Sequence, residues 1–355
     1  DGLDDLAVGA PGDDTGGLQD FPGPSDGQVA LYQAYGKFMT SGWYFQAGRS
    51  EQMMGNELHI GNSDFYNGRV FDGITAGADY DRWGLDLMWY QIAERASGPT
   101  GSVYDNAYLL GADFSINLPK GELEPYVLFY RDAQEDPPTG EILGGKSLYT
   151  FGLLWTRPPS EDGGWDASFE IAGQSGDVWV DDTGNGVSDI EVTAKGMIFE
   201  GWFGWTFAEA HRIHVGYFYA SGQKDDDEDL TAFVPLFPDP HQYNRLGDLD
   251  LFSEELSFSP SNGNFAGPMS NVSDISFGYG FRPNDSQHAA RASVHILAFA
   301  EAPAGADDDL GQELDLAYNY HYAENATFEL GVATLFPGDA FGSDPDNITR
   351  AWAQI

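Results

Sequence analysis

The chain has 355 residues, no cysteine, and 57 Asp plus Glu against 16 Lys plus Arg, a formal net charge of −41. That balance excludes a basic nucleic-acid face, and the missing cysteines exclude disulfide scaffolds, thiolate zinc sites and thiol nucleophiles. No run approaches the ~18 uninterrupted apolar residues of a membrane-spanning helix, while 45 glycines and 51 aromatics (24 Phe, 18 Tyr, 9 Trp) favour β structure.

Taken in order, residues 1–27 read as a loop, and the remainder, 28–355, as one unit of period-two strands. Trp83, Leu85, Leu87 and Trp89 alternate with Gly84, Asp86, Met88 and Tyr90; Ile275, Phe277, Tyr279 and Phe281 alternate with Asp274, Ser276, Gly278 and Gly280. This is strand periodicity. It predicts fifteen strands, near 28–38, 42–49, 69–79, 82–95, 106–117, 123–132, 146–157, 164–175, 191–207, 211–221, 272–282, 287–300, 312–322, 326–336 and 348–355. Their connections alternate between short turns and long segments, the longest being 222–271. A soluble sandwich gives no reason for that rhythm. A transmembrane antiparallel up-and-down β-barrel in a bacterial outer membrane does, because its periplasmic turns are short and its extracellular loops long.

Two features agree. The barrel topology puts Trp43, Trp83, Trp155, Trp165 and Trp205 near the short-turn rim, where an interfacial girdle belongs. The long segments together with residues 1–27 hold 35 of the 57 acids and, of the bases, only Lys224 and Arg245: −33 on one side, and 22 acids minus 14 bases, −8, elsewhere. An acidic extracellular vestibule is expected. Because single-chain bacterial barrels have even strand numbers, fifteen strands lead us to expect further strands in a longer chain.

Several stretches resemble the alginate-export family of outer-membrane porins: Gly48-Arg49 closing a strand, Asn67-Gly68-Arg69-Val70-Phe71-Asp72-Gly73, Gly311-Gln312-Glu313-Leu314-Asp315-Leu316, and Leu335-Phe336-Pro337-Gly338-Asp339-Ala340-Phe341-Gly342. The resemblance implies an all-β barrel of 18 strands, so about 15 would be present here. It also implies either a porin or an exopolysaccharide conduit. The alginate exporter of that family lines its pore with arginine and lysine to pass a polyanion, whereas the position matching one of its lumen arginines is Glu329 here, and its last-strand acidic residue falls at Gln354. A single propeller-like stretch, Asp1–Pro11, has no second copy at repeat spacing.

Alternation predicts a pore lined by Arg49, Arg69, Arg131, Arg212, Arg291, Asp113, Glu170, Glu313, Asp315 and Glu329. Such mixed charge suits either a transverse field that sorts solutes or a merely solvated lumen. His214, His295 and His321 fall on separate strands without an HExxH or GxSxG pattern, so no enzyme is expected. Neither cofactor nor resident metal is expected. Acidic loop runs at 225–229 and 307–309, and Asp181–Asp189, are candidate calcium loops, with a solvated turn as the plainer reading. The expected function is passive diffusion of small hydrophilic solutes. Alternatives are export of an alginate-like polysaccharide, or a barrel that sheathes an envelope partner. Expected partners are outer-membrane lipid and lipopolysaccharide, with no nucleic acid. The aromatic content of 222–271 predicts that this loop folds partly inward.

Overall fold

In the computed structural model the described residues are 7–9, 19–20, 30–62, 68–93, 107–135, 142–159, 163–180, 190–208, 210–223, 228–239, 245–252, 269–283, 286–302, 305–323, 326–342 and 345–354. Two short segments, β1 (Ala7–Gly9) and β2 (Gln19–Asp20), pair with residues of 30–40 and 69–80 respectively. The wall follows: β3 (Ala30–Thr40), β4 (Trp43–Ser50), β5 (Arg69–Tyr80), β6 (Trp83–Ala93), β7 (Ala107–Leu118), β8 (Gly121–Glu135), β9 (Ile142–Arg157), β10 (Gly164–Val180), β11 (Ile190–Ala194), β12 (Met197–Phe207), β13 (His211–Ala220), β14 (Val272–Phe281), β15 (His288–Phe299), β16 (Asp309–Ala323), β17 (Ala326–Pro337) and β18 (Ile348–Gln354). These sixteen are antiparallel, each paired with the next along the wall except that β12 pairs with β10 rather than with β11, and the described residues contain no α-helix. Segments β11 and β12 share one partner, β10, in a continuous register (Gly176↔Ala194, Gly173↔Met197). They are therefore one wall strand, interrupted where Lys195 N–H turns to Leu230 O (2.8 Å). Each of the fifteen predicted strands thus has its counterpart.

The outward face is apolar and exposed: Phe45, Ile74, Leu87, Phe151, Phe169, Val215, Phe277, Ile296 and Leu314 all lie bare. In water such a surface would be a severe aggregation liability; in hydrocarbon it is the solvent-matched side. At the short-turn rim aromatics form a ladder. Tyr80 sits 4.8 Å from Trp83 and 6.5 Å from Trp43, Trp155 stacks on Phe169 at 5.8 Å and 14°, and the Arg157 guanidinium lies 3.4 Å over the Trp165 ring. Rings with one wet edge suit the lipid–water boundary, and here they mark its level.

Inside, the barrel is not simply wet. The segments 51–62, 228–239 and 245–252 enter the lumen from the long-loop end. Met54, Leu58, Ile60, Phe233, Phe237, Leu246 and Phe252 are buried there against Phe71, Tyr90, Leu109, Tyr126, Leu128, Ile198, Phe218 and Leu335 of the inner wall. Each buried side chain of this size contributes ~1.5–3 kcal/mol relative to exposure. The two loops also zip together through Gly61 N–H to Phe237 O, Phe237 N–H to His59 O and Asp239 N–H to Glu57 O, each 2.9 Å. Four acids assigned by sequence to the vestibule, Glu57, Asp239, Asp248 and Asp250, are buried in this plug rather than bathing at the mouth.

Candidate functional site: a constricted lumen

Polar wall side chains divide into those that hold the loops and those that face open space. Glu170, on β10, accepts Asn56 N–H at Oε2 (2.9 Å) and the Tyr126 hydroxyl at Oε1 (2.6 Å). Four residues further along that strand and on the same face, Gln174 clasps the Val234 backbone, accepting its N–H (2.8 Å) and donating to its carbonyl (2.6 Å). Arg69 donates to Pro238 O (2.7 Å), Glu313 accepts Leu249 N–H (2.8 Å), and Arg291 pairs with Asp248 (2.8 Å). On β18, Arg350 pairs with Asp250. At the centre Arg245, fully enclosed, forks onto Glu200 (2.6 and 3.0 Å) and donates to the Asn56 and Asp239 carbonyls. One guanidinium therefore ties both loops to β12. Ion pairs enclosed this way need their remaining donors engaged, and four of the five N–H groups are used here.

Below the plug, towards the short-turn end, the described residues line two cavities. The larger, about 310 Å³, is lined by Asp166, Trp202, Arg212, His214, Asp274 and Ser276, with Arg245 and Leu246 above. Arg212 pairs with Asp166 through Nη2 (2.6 Å) and donates through Nη1 to His214 Nδ1 (3.2 Å). Since guanidinium only donates, His214 is neutral there with its proton on Nε2. Room for these side chains comes from glycine. A Cβ at Gly278 would lie 2.0 Å from the His214 ring, and one at Gly204 would lie 2.5 Å from Arg212. The other cavity, about 290 Å³, is lined by Tyr44, Asp79, Asp86, Asp113, Ser115 and Glu122, with no basic residue in its lining. Tyr44 donates to Asp86 (2.5 Å), whose register partner is Asp113.

Of the ten predicted lining residues, Arg69, Arg212, Arg291, Asp113, Glu170, Glu313, Asp315 and Glu329 project inward. Arg69, Arg291, Glu170 and Glu313 serve as loop anchors. Asp315 lies beside His295 (3.4 Å), which also meets Asp274 at 2.7 Å, and Glu329 accepts Trp352 Nε1–H (2.8 Å). Two assignments are corrected. Arg49 shares its side of β4 with Trp43 and Phe45, and pairs outside the barrel with Asp72 (2.7 Å). Arg131 shares its side of β8 with Phe129, opposite to inward Tyr126 and Leu128, and is exposed. Near the long-loop end both faces of β8 are apolar, since the inner one packs the plug, so there composition loses the parity that a wet lumen would mark.

Sequence reasoning missed His59, Asn56, Tyr126 and Gln174 as interior polar residues. The one usable signal for Arg245 was its isolation as a base in an acidic, aromatic loop. Of the calcium candidates, 181–189 and 225–227 lie outside the described residues. Asp229 pairs with Lys195, while Asp307 and Asp309 cap turns by accepting Asp309 N–H (3.1 Å) and Gly311 N–H (2.9 Å). Among the described residues no group of three His, Cys, Asp or Glu side chains is arranged to hold a metal.

A single antiparallel sheet, greasy outside, aromatic at the rim and polar within, defines an outer-membrane β-barrel channel of the porin class. Residues 23–354 match the alginate export family, and the chain belongs to it. Curated protein sequences give no match. Among solved structures the fold is similar to OccK11 (OpdR) of Pseudomonas aeruginosa, at TM-score 0.55 and 16% identity, covering 93% of this chain and 82% of that one. It is also similar to OccAB2 of Acinetobacter baumannii, at TM-score 0.53 and 15% identity, covering 97% and 81%. The protein is thus a transport channel of the bacterial outer membrane.

Proposed function

We propose that the channel passes small hydrophilic solutes by diffusion and favours cations over anions. The observation that carries this is the carboxylate-lined cavity of Asp79, Asp86, Asp113 and Glu122 beside a lumen whose arginines are engaged by Asp166, Glu200, Asp248 and Asp250. Carboxylate rings next to low-dielectric walls concentrate cations and repel polyanions, an effect screened over ~8–10 Å by physiological salt. The plug loops narrow the path, so passage is limited to small molecules. No chemistry on the solute is involved.

Reversal potentials across a tenfold salt gradient test the sign. Wild type should be cation-selective, and Asp86→Asn with Asp113→Asn should lower the cation-to-anion permeability ratio, most at low ionic strength. Anion preference in wild type would refute the proposal. Oligouronates added to the same bilayer should leave the current unchanged; block at low concentration would instead favour polysaccharide export.

A further inference from the structure

The channel does not account for Arg131, an exposed guanidinium on the lipid-facing side of β8. Its register partners are Tyr108 on β7 and Ser147 on β9, so the three side chains form one outward row across adjacent strands, with neighbours ~5 Å apart. None of the three makes a side-chain hydrogen bond or ion pair among the described residues. Arg49, the other outward arginine near this end, is by contrast already neutralised by Asp72.

Depth identifies what this row meets. Leu123 is the register partner of the girdle residue Trp155. Arg131 stands eight residues further along β8, about 20 Å higher at ~3.3 Å per residue and ~40° tilt, near the top of an apolar band ~25 Å tall. Just below it the lipid face carries Phe129, 4.6 Å from Tyr149 and 6.2 Å from Tyr108. Rings there match acyl chains and sugar backbones, and a guanidinium flanked by two hydroxyls matches an anionic tetrahedral oxyanion. An unpaired arginine facing lipid is tolerated at the interface only when its head reaches polar partners.

We infer that Tyr108, Arg131 and Ser147 bind a phosphate of a phosphorylated glycolipid in the outer leaflet. Arg131 supplies the two-pronged charged contact, and the flanking hydroxyls donate to the remaining oxygens.

The test uses the full chain in detergent, with native mass spectrometry against bis-phosphorylated lipid A and the same lipid with its phosphates removed. Wild type should prefer the phosphorylated form by about tenfold or more, and Arg131→Gln should abolish that preference. Tyr108→Phe and Ser147→Ala should each weaken it severalfold. Channel conductance should be that of wild type in all three, because the row lies outside the lumen. Equal binding of both lipids, or an undiminished preference in Arg131→Gln, overturns the inference. So does competition by inorganic phosphate at concentrations matching the lipid, which would reduce the site to a free-anion contact. If Arg131→Gln does not insert, Arg131→Lys carries the test: it keeps the charge and loses the fork, so wild-type preference in that variant also overturns the site.

Discussion

Arg245→Ala is expected to release the lumen loops and raise single-channel conductance, while the barrel itself stays folded. The wild-type guanidinium is fully enclosed and engages both oxygens of Glu200 and the carbonyls of Asn56 and Asp239. Removing it leaves Glu200, itself only 5% exposed, as an uncompensated charge beneath the loops. Breaking a buried pair from one side costs ~3–5 kcal/mol, equivalent to a ~10²–10⁴-fold shift of the docking equilibrium. The cost falls on loop docking, because the wall is held by backbone ladders that Arg245 does not touch. Water entering the released site rehydrates the carboxylate, which favours the open state further. Removing both partners behaves differently: Arg245→Leu with Glu200→Leu leaves no orphan charge and should dock its loops better than the single variant. Planar-bilayer recording reads the result. Unchanged conductance in Arg245→Ala, with heat-modifiable gel migration showing an intact barrel, would remove Arg245 from its role as latch.

The same latch shows where sequence ran out. The wall was legible because lipid imposes a strict rule on every second residue, and Trp83, Leu85, Leu87 and Trp89 obey it with no help from the remainder of the chain. Strand ends were less so. Phe129 and Leu128 are both apolar, one for lipid and one for the plug, so Arg131 could be placed on either face by pattern alone. Arg49 was recoverable, since counting back through Ala47 and Phe45 to Trp43 gives the outward face. The plug anchors were not. Arg245 and Glu200 are 45 residues apart, Asn56 and Glu170 are 114 apart, and nothing local in either pair marks it as a contact. Those meetings are fixed only once the barrel has closed and set the loops opposite one another.

Protonation of His59 in acid should weaken loop docking. Its ring is completely buried between Tyr126 (5.7 Å between centroids) and Phe233 (5.4 Å), and neither nitrogen has a hydrogen-bond partner. Burial, reinforced by the Arg245 charge, lowers its pKa from 6.5 to about 3. A docked loop therefore holds His59 neutral, whereas a released loop in water restores the ordinary value near 6.5. The released state binds the extra proton, so docking is unaffected well above pH 6.5 and weakens about tenfold per pH unit from there down to about 3. At pH 4.5 the accumulated loss is about 100-fold, or ~2.7 kcal/mol. A variant isolates the imidazole's contribution from that of the lumen carboxylates. His59→Leu keeps the volume and removes the titration, so between pH 6.5 and 4.5 its loops should stay more firmly docked, and its open probability lower, than those of wild type. Identical acid opening in both proteins over that interval would mean that the buried imidazole does not govern release.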